Sequence, residues 1–362
     1  MINNKINVKD KPIWEQEVVS CISNYYLNPE NSVIENSNKF GFSKEQMHDF
    51  LDKYITYKDA VLNDILPVFN KKYSILEPYF KSSDLSNYPI FVGIVFNYGY
   101  KLVENISDEE IDDVIMYFLN EMYEDLVFFD EELKPNLLDI TDVINLLNKA
   151  CLDNDLKMNI INLYMNRYST IRKLVELLKE FAPICEKYFF IIEDDFKKTI
   201  NYINNIEDLN EVLKSNLSIN NVTEWPADIN ISIMFFNQLS MRTIDGISTI
   251  RPGIYLFQLC ELSEKNKYND TQMVANLKAL ADSTRYSIVC MLSEKSMYMQ
   301  EIADKLGLSA ANVSHHINTL LQYEIISALI DSEKHKRIYY EINEKKIESL
   351  SQALKNIIKK RN

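Results

Sequence analysis

Between Met299 and Leu321 the sequence MQEIADKLGLSAANVSHHINTLL leaves the backbone little choice. Met299, Ile302, Ala303 and Leu306 recur at helical spacing, Gly307 sits where a helix C-cap requires a positive φ, and Ser309 is suited to cap the next helix. In that second helix Val313, Ile317, Leu320 and Leu321 follow an i, i+4, i+7, i+8 stripe that should face a core. Two short helices therefore meet across a very tight turn.

The residues left outward on the second helix are Ala310, Ala311, Ser314, His315 and Asn318. A helix face that is merely solvated usually carries Lys and Glu. This one is small, polar and uncharged at neutral pH, and it suits a major groove. Hydroxyl, imidazole and amide groups can hydrogen-bond base edges there, and alanine methyls can meet thymine methyls. Over Asn276 to Asn343 the apolar positions form three short helical patterns and then two strand-like runs, Ile325–Ile330 and Arg337–Ile342. That is the layout of a winged helix-turn-helix. The tip between the runs, Asp331–Lys336, places Lys334, His335, Lys336 and the following Arg337 for phosphate contacts, which position a protein without reading sequence.

Within this region LKALADSTRYSIVCML resembles the opening of the ArsR family of bacterial repressors, LGLSAANVSHHINTL its recognition-helix signature, and KRIYYEIN its second wing strand. The resemblance covers roughly the last quarter of the chain, with its motifs in the family's order and spacing. It implies a recognition helix that reads DNA, two copies acting as a homodimer, and release of the operator when an effector binds. It places DNA contacts at Ser314 and His315, with Ser309, Ala310 and Ala311 at the helix entrance. Ala310 and Ala311 depart from the polar residues often found there, so the target sequence does not carry over. Metal-sensing members carry two cysteines at the start of the first helix of the turn, where thiolates grip a soft ion. Here Met297, Tyr298 and Met299 stand in that place. The family's second metal site uses Asp, His and Glu on the C-terminal helix, and Glu344–Asn362 contains no His. No metal and no cofactor are expected. Ile347, Leu350, Leu354, Ile357 and Ile358 form an apolar stripe on that helix. In the family it packs at the dimer interface, although an amphipathic helix can equally fold back on its own domain.

The remaining chain is longer than this reader needs. Its 362 residues, 46% of them hydrophobic, suffice for two or three domains with substantial cores. A net charge of −14 would argue against nucleic acid if it were spread evenly. It is not: from Asp270 onward 13 Lys and Arg face 11 Asp and Glu, so the acidity belongs to the preceding part. An acidic body on a weakly basic reader should limit nonspecific DNA binding and confine productive contact to one face, or it simply keeps a large domain soluble. Cys21, Cys151, Cys185, Cys260 and Cys290 include no CxxC pair and read as reduced, mostly buried thiols, with Cys290 on a core stripe. The first residues, MINNKINVKDKPIW, lack an apolar signal core, and the longest apolar run is too short to span a bilayer. A soluble, cytoplasmic protein is expected.

Helical patterns fill Trp14 to about Lys81, with Ser43 and Gln46 spaced as a capping box, Pro67 and Pro78 as breaks or bends, and a polar loop over Lys81–Tyr88. The run IFVGIVFNYGY fits a buried strand or a short buried helix equally. Ser107 and Glu110 form a second capping box before an amphipathic helix. The carboxylates that continue it, and Glu193, Asp194 and Asp195 later, read as solvated faces. From Ile140 to about Ile206 helical periodicity returns, with Pro183 as a break. Tyr164, Tyr168, Phe181, Tyr188, Phe189 and Phe190 along it mark the first place to seek a ligand cavity. Alternation over Ile229–Phe235, a turn at Asp245 and Gly246, and a second run at Ile254–Leu259 predict a small antiparallel sheet. Glu264–Asp270 reads as a boundary.

The expected fold is mainly α: a large helical domain over 1–264 with a small antiparallel β element, followed by a C-terminal winged helix-turn-helix over 270–362. A DNA-binding regulator with double-stranded operator DNA as partner, homodimeric and open to a small-molecule effector, is the leading function. Only His48 among four histidines precedes the winged helix, and no phosphate loop, nucleophile elbow or metal-ligand spacing is visible, so no enzyme is expected. The competing classes are an enzyme with an appended DNA-binding domain and a winged-helix module that binds protein.

Overall fold

The computed structural model describes residues 6–81, 89–126, 139–149, 152–206, 219–220, 227–244, 247–266, 270–330 and 338–359. They form two compact units, each discontinuous in sequence. One comprises Met1–Ile34, His48–Asn205 and Trp225–Leu256, and the other Glu35–Met47, Ile206–Glu224 and Phe257–Asn362.

The first unit is organised around α1 (Trp14–Leu27), whose Val18, Val19, Cys21 and Ile22 are fully buried. Two polar side chains on this buried helix are satisfied by the backbone around Met234. Glu17 accepts from the N–H groups of Ile233 (3.1 Å) and Met234 (2.8 Å), and Asn24 donates to the Met234 carbonyl at 2.7 Å. After α2 (Pro29–Glu35) comes α3 (Lys44–Val68), which starts at the expected capping box: Ser43 N–H donates to Gln46 Oε1 at 2.8 Å and Gln46 N–H to Ser43 Oγ at 3.1 Å. Pro67 stands one residue before the end of α3, and the chain widens into a π turn and then tightens into a 3-10 turn containing Pro78.

The apolar run after Pro89 is a helix, α4 (Ile90–Tyr98), buried on nearly every side, which explains why its sequence shows no single stripe. Its last carbonyls are closed by two arginines: Arg251 Nη2 donates to Phe96 O and Arg242 Nη1 to Asn97 O, both at 2.7 Å. The second capping box also forms, with Ser107 N–H donating to Glu110 Oε2 at 2.8 Å, and opens α5 (Asp108–Leu126). There follow α6 (Ile140–Lys149), α7 (Asn154–Met165), α8 (Arg167–Tyr188) and α9 (Glu193–Asn204).

Several expectations for this unit need correction. Pro183 lies inside α8 rather than between helices; the carbonyl its missing N–H leaves open belongs to Lys179, an exposed position, while Phe181 and Cys185 keep that helix packed. Asp195 is not simply solvated. Burial alone would raise its carboxyl, but hydrogen bonds from Lys198 (2.9 Å), Tyr255 (2.9 Å) and Lys53 (3.2 Å) outweigh that and hold it below the usual range. The carboxylate side chains from Glu121 to Glu132 lie outside the described residues. The aromatic residues noted along α8 and just after it differ in their surroundings. Phe181 packs edge-on against Tyr73, Tyr168 and Tyr188 donate to Asp112 and Asp64, and Phe190 points outward. A cavity of about 580 Å³ in this unit is lined by a mixture of polar and apolar residues, among them Glu77, Lys81, Asp155, Leu156 and Met158.

The sheet of this unit has the order β1 (Ile6–Val8), β3 (Ala227–Ile229), β5 (Ile247–Pro252), β4 (Leu239–Ile244). An antiparallel pair is present but not on the expected runs: it is β4–β5, from Leu239 opposite Pro252 to Ile244 opposite Ile247, while of Ile229–Phe235 only Ile229 lies in a strand and the rest is buried turn rather than alternating strand. Two further strands join it in parallel, β3 beside β5 and β1 beside β3. Asp245 and Gly246 lie outside the described residues. Ile254–Leu259 is not a strand, because the chain folds sharply at Gly253, where a Cβ would stand 2.2 Å from the Phe235 carbonyl oxygen. Ile254 and Tyr255 then bond Ser232 O and Phe236 O, and α10 (Leu256–Lys265) begins.

The second unit contains the winged helix: α11 (Asp270–Leu280), α12 (Ser283–Leu292), β6 (Met297–Tyr298), α13 (Met299–Leu306), α14 (Ala310–Gln322), β7 (Ile326–Ile330), β8 (Ile338–Ile342) and α15 (Glu344–Lys359). Strands β7 and β8 lie within a residue of the two expected runs. Their sheet has four strands, however, in the order β2-β7-β8-β6. Strand β2 is Ile219–Asn220, paired in parallel with Ala328 and Leu329, so a distant segment covers the outer edge of the wing. Among the described residues no helix is long and apolar enough to cross a membrane.

Candidate nucleic-acid interface

The reader is built from the core outward. Ile288, Met297, Ile302, Ala303, Val313 and Ile317 are fully buried, joined by Leu320, Ile325 and Ile326. Met299, Leu306 and Leu321 pack partly buried against them, so both predicted stripes face one core. Gly307 ends α13 in the left-handed region (φ 65°), and Ser309 Oγ accepts from Asn312 N–H at 3.3 Å to cap α14. The helix-turn-helix thus follows from a positive-φ glycine and a serine cap.

Two polar devices hold this scaffold from behind. Asp282 caps α12 by accepting from Arg285 N–H at 2.9 Å, and that bond holds its carboxyl below the usual carboxylate range. Arg285 in turn closes the end of α11, donating to Ala279 O and, at 3.2 Å, to Lys278 O. His316, which no sequence motif singles out, faces Asp282 at 3.4 Å. Burial holds its imidazole below the ordinary value, outweighing the attraction of Asp282. Of the adjacent histidines, only His315 faces outward. It shares that face with exposed Asn318 and half-buried Ser314.

Among the other anticipated contacts, Ala310 and Ala311 open α14, while Lys334, Lys336 and Arg337 lie outside the described residues. On α15, Leu350 is buried and Ile347 packs against the winged-helix core, whereas Leu354 is exposed. The Ile357 side chain is outside the described set. Cys290 is exposed on α12 rather than buried on a core stripe; Ile288 and Leu292 take the inward positions around it. A further residue that the sequence did not mark is Lys39, whose Nζ donates to the carbonyl of Gln322, the last residue of α14, at 3.0 Å. A lone lysine far from the motif carries no signal that would single it out.

A helix with a small, neutral outward face, held by a tight turn on a three-helix core and followed by a paired wing, defines a winged helix-turn-helix reader. Residues 282–328 match the family model described as bacterial regulatory protein, arsR family. The transcriptional repressor SdpR of Bacillus subtilis (strain 168) is 35% identical over 83 residues, which cover 23% of this chain and 89% of that protein. No solved structure gives a significant match. The chain belongs to the arsR family of bacterial regulatory proteins and is a DNA-binding transcriptional regulator.

Proposed function

We propose that the protein is a sequence-specific transcriptional repressor that binds a palindromic operator as a homodimer and is controlled through its N-terminal part. The observation that carries this reading is the outward face of α14, where half-buried Ser314 and exposed His315 and Asn318, none of them Lys, Arg, Asp or Glu, stand beside a fully buried Val313 and Ile317. Such a face offers hydrogen-bond donors and acceptors to base edges, and it adds no repulsion from the acidic remainder of the chain. Repression is supported by the name of the similar protein. A dimer is supported by apolar side chains left exposed on two helices of the reader, Val274 and Leu277 on α11 and Leu354 on α15. In a dimer two recognition helices would enter successive major grooves about 34–36 Å apart. Control by the N-terminal part is supported by its size and by the two segments it contributes to the reader unit, Glu35–Met47 and Ile206–Glu224.

The test is selection of genomic fragments by the full chain, followed by binding to a selected site and to random DNA at two salt concentrations. A few palindromic sites should be enriched, with affinity falling steeply as salt rises. His315→Ala should lower affinity for the selected site by roughly tenfold and leave random DNA unaffected, whereas Lys336→Ala should weaken both alike. Equal loss on both DNAs for His315→Ala would refute base reading by α14, and failure to enrich any DNA would refute the function.

A further inference from the structure

We propose that Lys39 is a positioning residue for DNA reading: it closes the carboxyl end of the recognition helix from a distant part of the chain. The inference rests on the reading of α14 as the DNA-reading helix. The last carbonyls of that helix have distinct partners. Thr319 O accepts from Tyr323 N–H (3.2 Å), Leu321 O from Glu324 N–H (2.8 Å) and Leu320 O from Ile325 N–H (2.9 Å), the last two drawn together by a left-handed Glu324 (φ 58°). Gln322 O is the carbonyl that this backbone arrangement leaves over, and it accepts from Lys39 Nζ. A cation there also meets the negative end of the helix dipole.

Lys39 is held by a built turn. Residues Ser37–Phe40 form a 3-10 turn closed by Gly41, whose φ of 76° suits glycine. Asn266 Nδ2 donates to Phe40 O at 3.0 Å and to Leu262 O at 2.8 Å, fastening the turn to α10, and Lys44 pairs with Glu35 across its base. A cavity of about 650 Å³, lined by Asn38, Lys278, Arg285, Thr319 and Tyr323, opens beside the turn. Three residues past Gly41 the chain enters α3 (Lys44–Val68).

The test compares wild type, Lys39→Met and Lys39→Arg, using the full chain and a selected DNA site against random DNA. Lys39→Met should lower affinity for the selected site roughly fivefold, a loss in the range of a helix-end charge interaction. It should leave random-DNA binding and the salt slope unchanged, speed amide exchange over Thr319–Tyr323 in the absence of DNA, and be restored by Lys39→Arg. A salt slope reduced by about one would show that Lys39 itself meets a phosphate and would overturn the positioning role. Unchanged affinity and exchange would overturn it as well. If wild type selects no DNA, the function proposed above fails and this inference falls with it; if wild type selects DNA and the variants match it, this inference alone fails.

Discussion

Glu17 sets a test whose sign runs opposite to that of most carboxylates. It stands on α1 with 1% of its surface exposed, and burial pushes its carboxyl up to about 7 despite the N–H groups of Met234 and Ile233 and the Ser232 hydroxyl, which favour the charged form. In the unfolded chain it releases its proton near 4.5. Between those values the folded state holds a proton that the unfolded state has lost, so stability falls as pH rises. The contribution is fully present below 4.5 and is gone once pH has passed through about 7. From pH 5 to pH 8 the loss amounts to about 2–3 kcal/mol at roughly 1.36 kcal/mol per tenfold. Urea unfolding followed by tryptophan fluorescence reports it, because Trp14 opens the same helix. Glu17→Gln cannot ionise, so its stability relative to wild type should improve by that amount across the window, whatever the amide costs at pH 5. Parallel profiles for the two proteins would refute the reasoning and show that Glu17 keeps its charge in the folded state.

Two glycines with similar backbone and different surroundings separate conformational strain from crowding. At Gly307 (φ 65°) an added Cβ would meet nothing within 4 Å, whereas at Gly41 (φ 76°) it would stand 2.4 Å from Asn266 Oδ1. Gly307→Ala should cost about 1 kcal/mol from the left-handed backbone alone, and Gly41→Ala about twice that, since the Asn266 bond to Phe40 is lost as well. Equal losses in denaturant unfolding would contradict this. Ser309→Ala should destabilise the reader unit by about 1 kcal/mol and Ser309→Asp should restore most of it, because the cap needs only a side-chain oxygen; an unchanged midpoint in both variants would show that the 3.3 Å bond to Asn312 contributes nothing.

The reader was legible because its determinants are local. Periodicity fixed both stripes, and Gly307 and Ser309 fixed the turn between them, all within the 23 residues from Met299 to Leu321. The capping boxes at Ser43 and Ser107 were legible for the same reason: donor and acceptor lie three residues apart. Where burial is nearly complete, periodicity loses its meaning, and the sequence of α4 suits helix and strand equally. The run at Ile254–Leu259 misled because β-branched and aromatic residues also suit a tightly bonded turn entering a helix. Pro183 misled because one missing N–H in a long, well-packed helix costs less than the packing around Phe181 and Cys185 contributes.

What sequence order hides is that the reader does not end where its motif ends. A two-residue strand, Ile219–Asn220, has too few positions to show alternation, yet it covers the edge of the wing at Ala328 and Leu329. Lys39 has no motif around it, yet it meets the last carbonyl of the recognition helix 283 residues away. Both belong to segments that leave the helical unit and return to it, and both touch elements that a DNA reader must hold still, the wing and the recognition helix. The family match at 282–328 covers α12 to the start of the wing, while Lys39 and the Ile219–Asn220 strand that meet α14 and β7 lie outside it. On the positioning role proposed for Lys39, substitutions at Lys39 or Gly41 should act on DNA binding before they act on the stability of the helical unit.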